Sequence, residues 1–215
     1  MGWRQWWLVV EFTLLFVAVP VLMIVERQRF GRMIIPTLVV IGLFCLTVLL
    51  LDRRFERHRL WQLGDLKAGM RHILRTFVPG AVVLTGLAVW WRPDLLLRFP
   101  QERPGLWLLV MVLYPVLSVY PQELIFRTFL FHRYRSLLPT PVARIAASGT
   151  AFGAAHLFFG NWIAPLLTTL GGFLFARTYQ RSRSTLQASL EHALWGDFLF
   201  TLGLGWYFYG GSIGS

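Results

Sequence analysis

An all-α, polytopic membrane helix bundle of seven or eight transmembrane helices is the fold class this chain predicts. Three observations carry that expectation. Of 215 residues, 56% are hydrophobic, above the roughly 45–50% apolar content of soluble domains. Several apolar runs approach or exceed the about 20 residues that cross a bilayer as a helix. The charged residues, 14% of the chain, fall mostly between those runs. At this length residues 1–215 read as a single integral-membrane domain.

The formal net charge of +11 would suggest nucleic acid in a soluble protein. Here the basic residues flank apolar runs, which suits anionic headgroups and topology signals. Membrane lipid is therefore an expected partner and nucleic acid is not. The single Cys45 lies inside an apolar run and excludes an intramolecular disulfide.

Trp3, Trp6 and Trp7 mark a headgroup level, and Trp7 to Ile24 is the first span, with Glu11 near an interface or paired with an arginine. Met33 to Leu51 is the second. The basic stretch from Asp52 leads into Trp61 to Arg75, where Leu63, Leu66, Met70, Ile73 and Leu74 alternate with charged residues. That spacing predicts an amphipathic helix on the membrane surface. Seven Lys/Arg lie between Asp52 and Arg75, which places this loop and the N-terminus on the cytoplasmic side of a cytoplasmic (inner) membrane. Arg27, Arg29 and Arg32 in the first loop count against that orientation.

Phe77 to Trp91 is the third span, and a polar loop runs to Arg103. Gly105 to Tyr120 begins the fourth, and Gln122 to Tyr134 continues it past a kink set by Pro115 and Pro121. After a turn at Pro139 to Pro141, Val142 to Phe159, Ile163 to Tyr179 and Leu186 to Leu202 complete the bundle. The tail from Gly203 to Ser215 ends in a last short helix.

Three of these segments carry ionisable groups at membrane depth, where such groups usually face a bundle interior or a wet cavity. Glu123 and Arg127 are four residues apart, so they share a helix face and can pair. His156 and His192 lie in two later helices. From the nearest loop anchors, Glu123, His156 and His192 sit about 15, 22 and 12 Å deep at about 1.5 Å per residue. One shared site is thus permitted. A carboxylate can take a proton from water, one imidazole can orient that water or bind a metal, and another can donate to an oxyanion. Buried polar side chains that only hold helices together are the plain alternative.

At these residues the chain resembles the CPBP family, the CAAX-protease and bacteriocin-processing (Abi) intramembrane proteases. The family pattern is Glu-Glu-x-x-x-Arg, then Phe-x-x-x-His, then His-x-x-x-Asn or Asp. Here the first reads Gln122-Glu123-Leu-Ile-Phe-Arg127, the second Phe152-Gly-Ala-Ala-His156, and the third His192-Ala-Leu-Trp-Gly196 with Asp197 one position late. The family-like core spans about residues 106–202. The resemblance implies an endopeptidase that hydrolyses a peptide bond of a membrane-associated protein or peptide, with water activated by a glutamate and a histidine. It assigns catalytic roles to Glu123, His156, His192, Arg127 and Asp197. No cofactor is firmly implied, although His156, His192 and Glu123 could hold a divalent metal such as zinc. Gln122 stands where the family has its first Glu. Either Glu123 does the work of the base, or the chain is a weak or inactive relative acting as a membrane binding, immunity or scaffold protein. A proton-coupled transporter using Glu123 and Asp197 lacks the internal repeat such folds often carry.

Overall fold

The computed structural model describes residues 2–208, and within them every regular element is helical. Seven long helices follow in order: α1 (Trp3–Val25), α2 (Ile34–Leu51), α3 (Leu66–Trp91), α4 (Pro104–Arg133), α5 (Pro141–Phe159), α6 (Ile163–Ser182) and α7 (Thr185–Leu202). By length and composition α1 to α5 can each cross a membrane. Their outward side chains are apolar, as with Val40, Leu51, Val82 and Val112, which suits lipid and not water.

The helix ends follow local chemistry. Asp65 caps α3 by accepting from the Ala68 N–H at 2.9 Å, and Thr140 caps α5 by accepting from the Ala143 N–H at 3.1 Å. Ser184 caps α7 by accepting from the Gln187 N–H at 3.1 Å. Each removes an unsatisfied amide of a first turn. Ser184 also donates to the Gln62 carbonyl and Gln187 to the Leu63 carbonyl. These bonds tie the basic loop after α2 to the turn between α6 and α7.

One sequence expectation is corrected. The amphipathic stretch Trp61 to Arg75 is not a separate surface helix. Leu66 onward is continuous with the third span in a single 26-residue helix that carries Pro79 in its interior. Its charged residues, Lys67, Arg71 and Arg75, lie in the first three turns, and none follows from Thr76 to Trp91. The predicted continuation of the fourth span past Pro115 and Pro121 does form, as one 30-residue helix. Two wide π-helical turns, Pro115–Val119 and Leu124–Phe129, lie within it. Proline lacks the amide that a regular turn needs; Pro115 opens the first of these turns and Pro121 precedes the second. After α7 a short turn of helix covers Leu204–Phe208; the remainder of the predicted tail lies outside the described residues.

The core is aromatic. Phe16, Phe126, Phe129, Tyr134, Phe152 and Phe175 form one buried cluster. Glu11 of α1 is held there by Arg133 at 2.9 and 2.7 Å and by the Tyr134 hydroxyl at 3.0 Å, which fulfils the expected arginine pairing. α5 and α6 approach closely: a Cβ on Gly172 would lie 3.0 Å from Gly149 Cα. That contact brings the His156 helix against Phe175, and so sets the floor of the site.

Candidate active site

α4, α5, α6 and α7 meet around one carboxylate. Glu123 Oε1 receives a hydrogen bond from His192 Nδ1 at 2.8 Å and lies 3.0 Å from Arg127 Nη1. The Arg127 contact is the i, i+4 pair that the spacing predicts. Both Glu123 and Arg127 have no exposed surface. The Arg127 guanidinium carbon lies 4.3 Å from the centre of the Phe152 ring and 5.3 Å from that of Phe175, and Nη2 donates to the Gly172 carbonyl at 3.4 Å. Aromatic faces attract a desolvated cation, so this arginine is held by one carboxylate and two rings.

His192 is fixed on every side. Phe175 stacks on it at 4.6 Å with 16° between planes, and Phe152 meets it edge-on at 5.3 Å. Since Nδ1 donates to a carboxylate, the neutral ring has its lone pair on Nε2. The Tyr114 hydroxyl donates to that atom at 3.1 Å. Glu123, His192 and Tyr114 thus form a chain of hydrogen bonds across α4 and α7.

His156 opens the last turn of α5, where the helix tightens into a short 3₁₀ segment, His156–Phe159. Its Nδ1 donates to the Phe152 carbonyl at 2.7 Å, because a carbonyl can only accept, and Nε2 is left without a proton. His156, His192, Tyr114 and Gln122 all line a cavity of about 1410 Å³. Glu123 does not; it lies behind His192. Gln122 takes the wall position instead, with its side-chain amide donating to Ser118 Oγ at 2.7 Å and its Oε1 buried without a hydrogen-bond partner.

Of the five site residues expected from the sequence, Glu123, Arg127 and His192 are in direct contact. His156 contacts them through Phe152, at 4.6 Å between ring centres. Asp197 makes no hydrogen bond or ion pair with any of them, and its Oδ1 is buried without a partner. One position past Gly196 is about 100° around the helix, and α7 stays regular there, so the carboxylate is carried away from His192.

Sequence reasoning missed Tyr114. Its signal was spacing: Tyr114, Ser118 and Gln122 recur every four residues on one face of α4, the face that lines the cavity. Gly196 makes that placement possible, since a Cβ there would lie 2.6 Å from Tyr114 Cζ. Glu191 was also missed as a candidate; it is 1% exposed beside His192.

Among the described residues no three His, Cys, Asp or Glu side chains converge as a metal-ligand set. His192 Nδ1 is bonded to Glu123 Oε1, which also faces Arg127, and His156 lies beyond Phe152, so Glu123, His156 and His192 do not converge on one point.

Residues 104–198 match the family model described as type II CAAX prenyl endopeptidase, Rce1-like. The matched segment begins at the first residue of α4 and contains Tyr114, Gln122, Glu123, Arg127, Phe152, His156 and His192. No curated protein and no solved structure matches the chain.

Proposed function

From a domain of the CAAX protease family spanning α4 to α7, we propose that this integral membrane protein is an endopeptidase in which Glu123, His192 and His156 activate the water. The observation that carries the reading is the 2.8 Å bond from His192 to a fully buried carboxylate, directly behind a cavity wall. A buried carboxylate on one imidazole nitrogen fixes the tautomer and stabilises the imidazolium that forms when the other nitrogen takes a proton.

The steps follow from that. A water in the cavity gives one hydrogen bond to His192 Nε2, in the place the Tyr114 hydroxyl now occupies, and the other to His156 Nε2. The water O–H bond breaks, its proton passes to His192 Nε2, and its oxygen bonds to the scissile carbonyl carbon. The carbonyl becomes an oxyanion, which receives the freed Tyr114 hydroxyl as donor. The C–N bond then breaks and the leaving amine takes its proton from His192. Arg127 holds Glu123 in place and balances its charge. Asp197 has no part in this sequence, and no step runs through a metal.

Gln122 on the cavity wall favours one competing reading, a binding protein that retains the pocket and has lost the chemistry. Purified wild type, Glu123→Gln, His156→Ala and His192→Ala, each first shown to be folded, would be assayed on membrane-spanning peptides with and without chelator. Cleavage by wild type, lost in His192→Ala and His156→Ala and indifferent to chelator, is the expected result. Cleavage that persists in folded His192→Ala refutes the assignment. Peptide binding without cleavage, unchanged by the three substitutions, points to the binding protein.

A further inference from the structure

We propose that the cavity is entered from the extracytoplasmic side and takes an apolar peptide segment whose outward end carries a carboxylate. This deepens the protease reading by naming a substrate class.

The mouth of the cavity is asymmetric. Its walls include the end of α1, the turn into α2, the far end of α5 and the segment after α7, through Met23, Arg27, Arg32, Phe159 and Phe208. No residue of the loop after α2, of the α4–α5 turn or of the α6–α7 turn lines it. The basic residues divide the other way. Of the 21, fourteen lie at the bundle end that holds those three connections and the N-terminus, six lie at the cavity end, and Arg127 is at the site. Basic residues concentrate on the cytoplasmic side of membrane proteins, so the cavity opens away from the cytoplasm.

The walls are apolar apart from a few groups, and Arg27 and Arg32 at the mouth are the only Arg, Lys, Asp or Glu among the lining residues. The carboxylates of this end are already engaged: Glu26 by Arg29, Asp94 by Arg92 and Glu102 by Arg98. Neither Arg27 nor Arg32 forms an ion pair among the described residues. The volume, about 1410 Å³, exceeds the roughly 300–1,000 Å³ typical of small-molecule pockets, and suits an extended peptide. An apolar well with a positive rim selects an apolar segment with a negative end.

Two measurements test this without relying on cleavage. In a Cys45→Ala background, Gln28→Cys and Arg54→Cys would be exposed to a membrane-impermeant maleimide in intact cells and in inverted vesicles. Labelling of Gln28→Cys in cells, and of Arg54→Cys only in inverted vesicles, is expected; the reverse pattern overturns the proposal. Two fluorescent peptides with one apolar span and an acidic or a basic outer end would then be compared for binding to purified protein. The acidic peptide should bind about tenfold tighter, as two partly exposed ion pairs allow, and Arg27→Gln with Arg32→Gln should erase the difference. Equal binding of the two peptides, or a preference that survives the double substitution, overturns it. Displacement of the acidic peptide by anionic-lipid vesicles but not by neutral ones assigns the rim to headgroups and also overturns it. A catalytically dead protein would leave both measurements intact, so failure of the protease reading is seen separately.

Discussion

Adding one methyl group at Gly196 should disconnect Tyr114 from His192. A Cβ at that position would lie 2.6 Å from Tyr114 Cζ, whereas unbonded carbons settle at about 3.5 Å. The ring must retreat by about 1 Å, and Phe200, edge-on at 5.2 Å between ring centres, limits its escape. The hydroxyl now stands 3.1 Å from His192 Nε2, so a retreat of that size stretches the bond past about 3.5 Å, where it no longer counts as one. Overpacking costs about 1–3 kcal/mol, and the lost hydrogen bond adds about 1 kcal/mol. Gly196→Ala should therefore lose about 2–4 kcal/mol in a detergent-unfolding titration. Turnover should fall further, by about 10²–10³-fold, the usual effect of removing one oxyanion donor. Tyr114→Phe separates the two terms: it keeps the ring, should lose only about 1 kcal/mol of stability, and should show the same fall in turnover. A Tyr114→Phe enzyme that turns over at the wild-type rate would refute the role given to the hydroxyl. A Gly196→Ala protein of unchanged stability would refute the packing.

Glu123→Ala leaves the Arg127 guanidinium fully buried with only a distant carbonyl and two rings, and should cost about 3–5 kcal/mol in the same titration; adding Arg127→Met should restore much of it, a recovery that a double-mutant cycle measures. Glu11→Ala strands Arg133 and the Tyr134 hydroxyl between α1 and α4, and a loss of about 2 kcal/mol is expected from its charge-assisted bonds, read as earlier release of α1 in limited proteolysis. Asp52, at the end of α2 and outside the spans, has its carboxyl held below the usual value by the Arg54 N–H first and by His132 second. A carboxylate depressed in the folded state contributes stability that is present above its unfolded value, 3.8, and is lost as pH falls through the lower folded value. Asp52→Asn should therefore be less stable than wild type near neutrality, show a flatter acid limb, and converge on wild type once the pH has fallen below the folded value, as read from unfolding titrations across pH.

The bundle was legible in the sequence, and so was the contact between Glu123 and Arg127, because both rest on local rules. Helical spans follow from apolar run length, the Glu123–Arg127 contact from four-residue spacing, and the Glu11 pairing from the cost of leaving a carboxylate alone among apolar groups. What stayed hidden depended on partners far apart in the chain. Tyr114 and His192 are 78 residues apart, and nothing in either segment names the other. The amphipathic stretch was set apart from the third span because its charged residues, up to Arg75, suit a membrane surface, whereas one helix runs from Leu66 through Pro79 to Trp91, a proline being tolerable mid-helix where neighbours resatisfy the backbone. Asp197 was chosen by residue type, and a regular α7 carries its carboxylate around the helix from His192.

The wide turns of α4 have a consequence for comparing relatives. Each holds one more residue than a regular turn, and one residue of slip rotates everything beyond it by about 100°. A relative whose helix is regular over Pro115–Val119 would face its cavity with the neighbouring alignment column. Which of two adjacent positions meets the substrate can therefore change between proteins while both residues stay the same. Activity among such relatives should be inferred from superposed helices, with the phase of each turn checked before columns are read as equivalent.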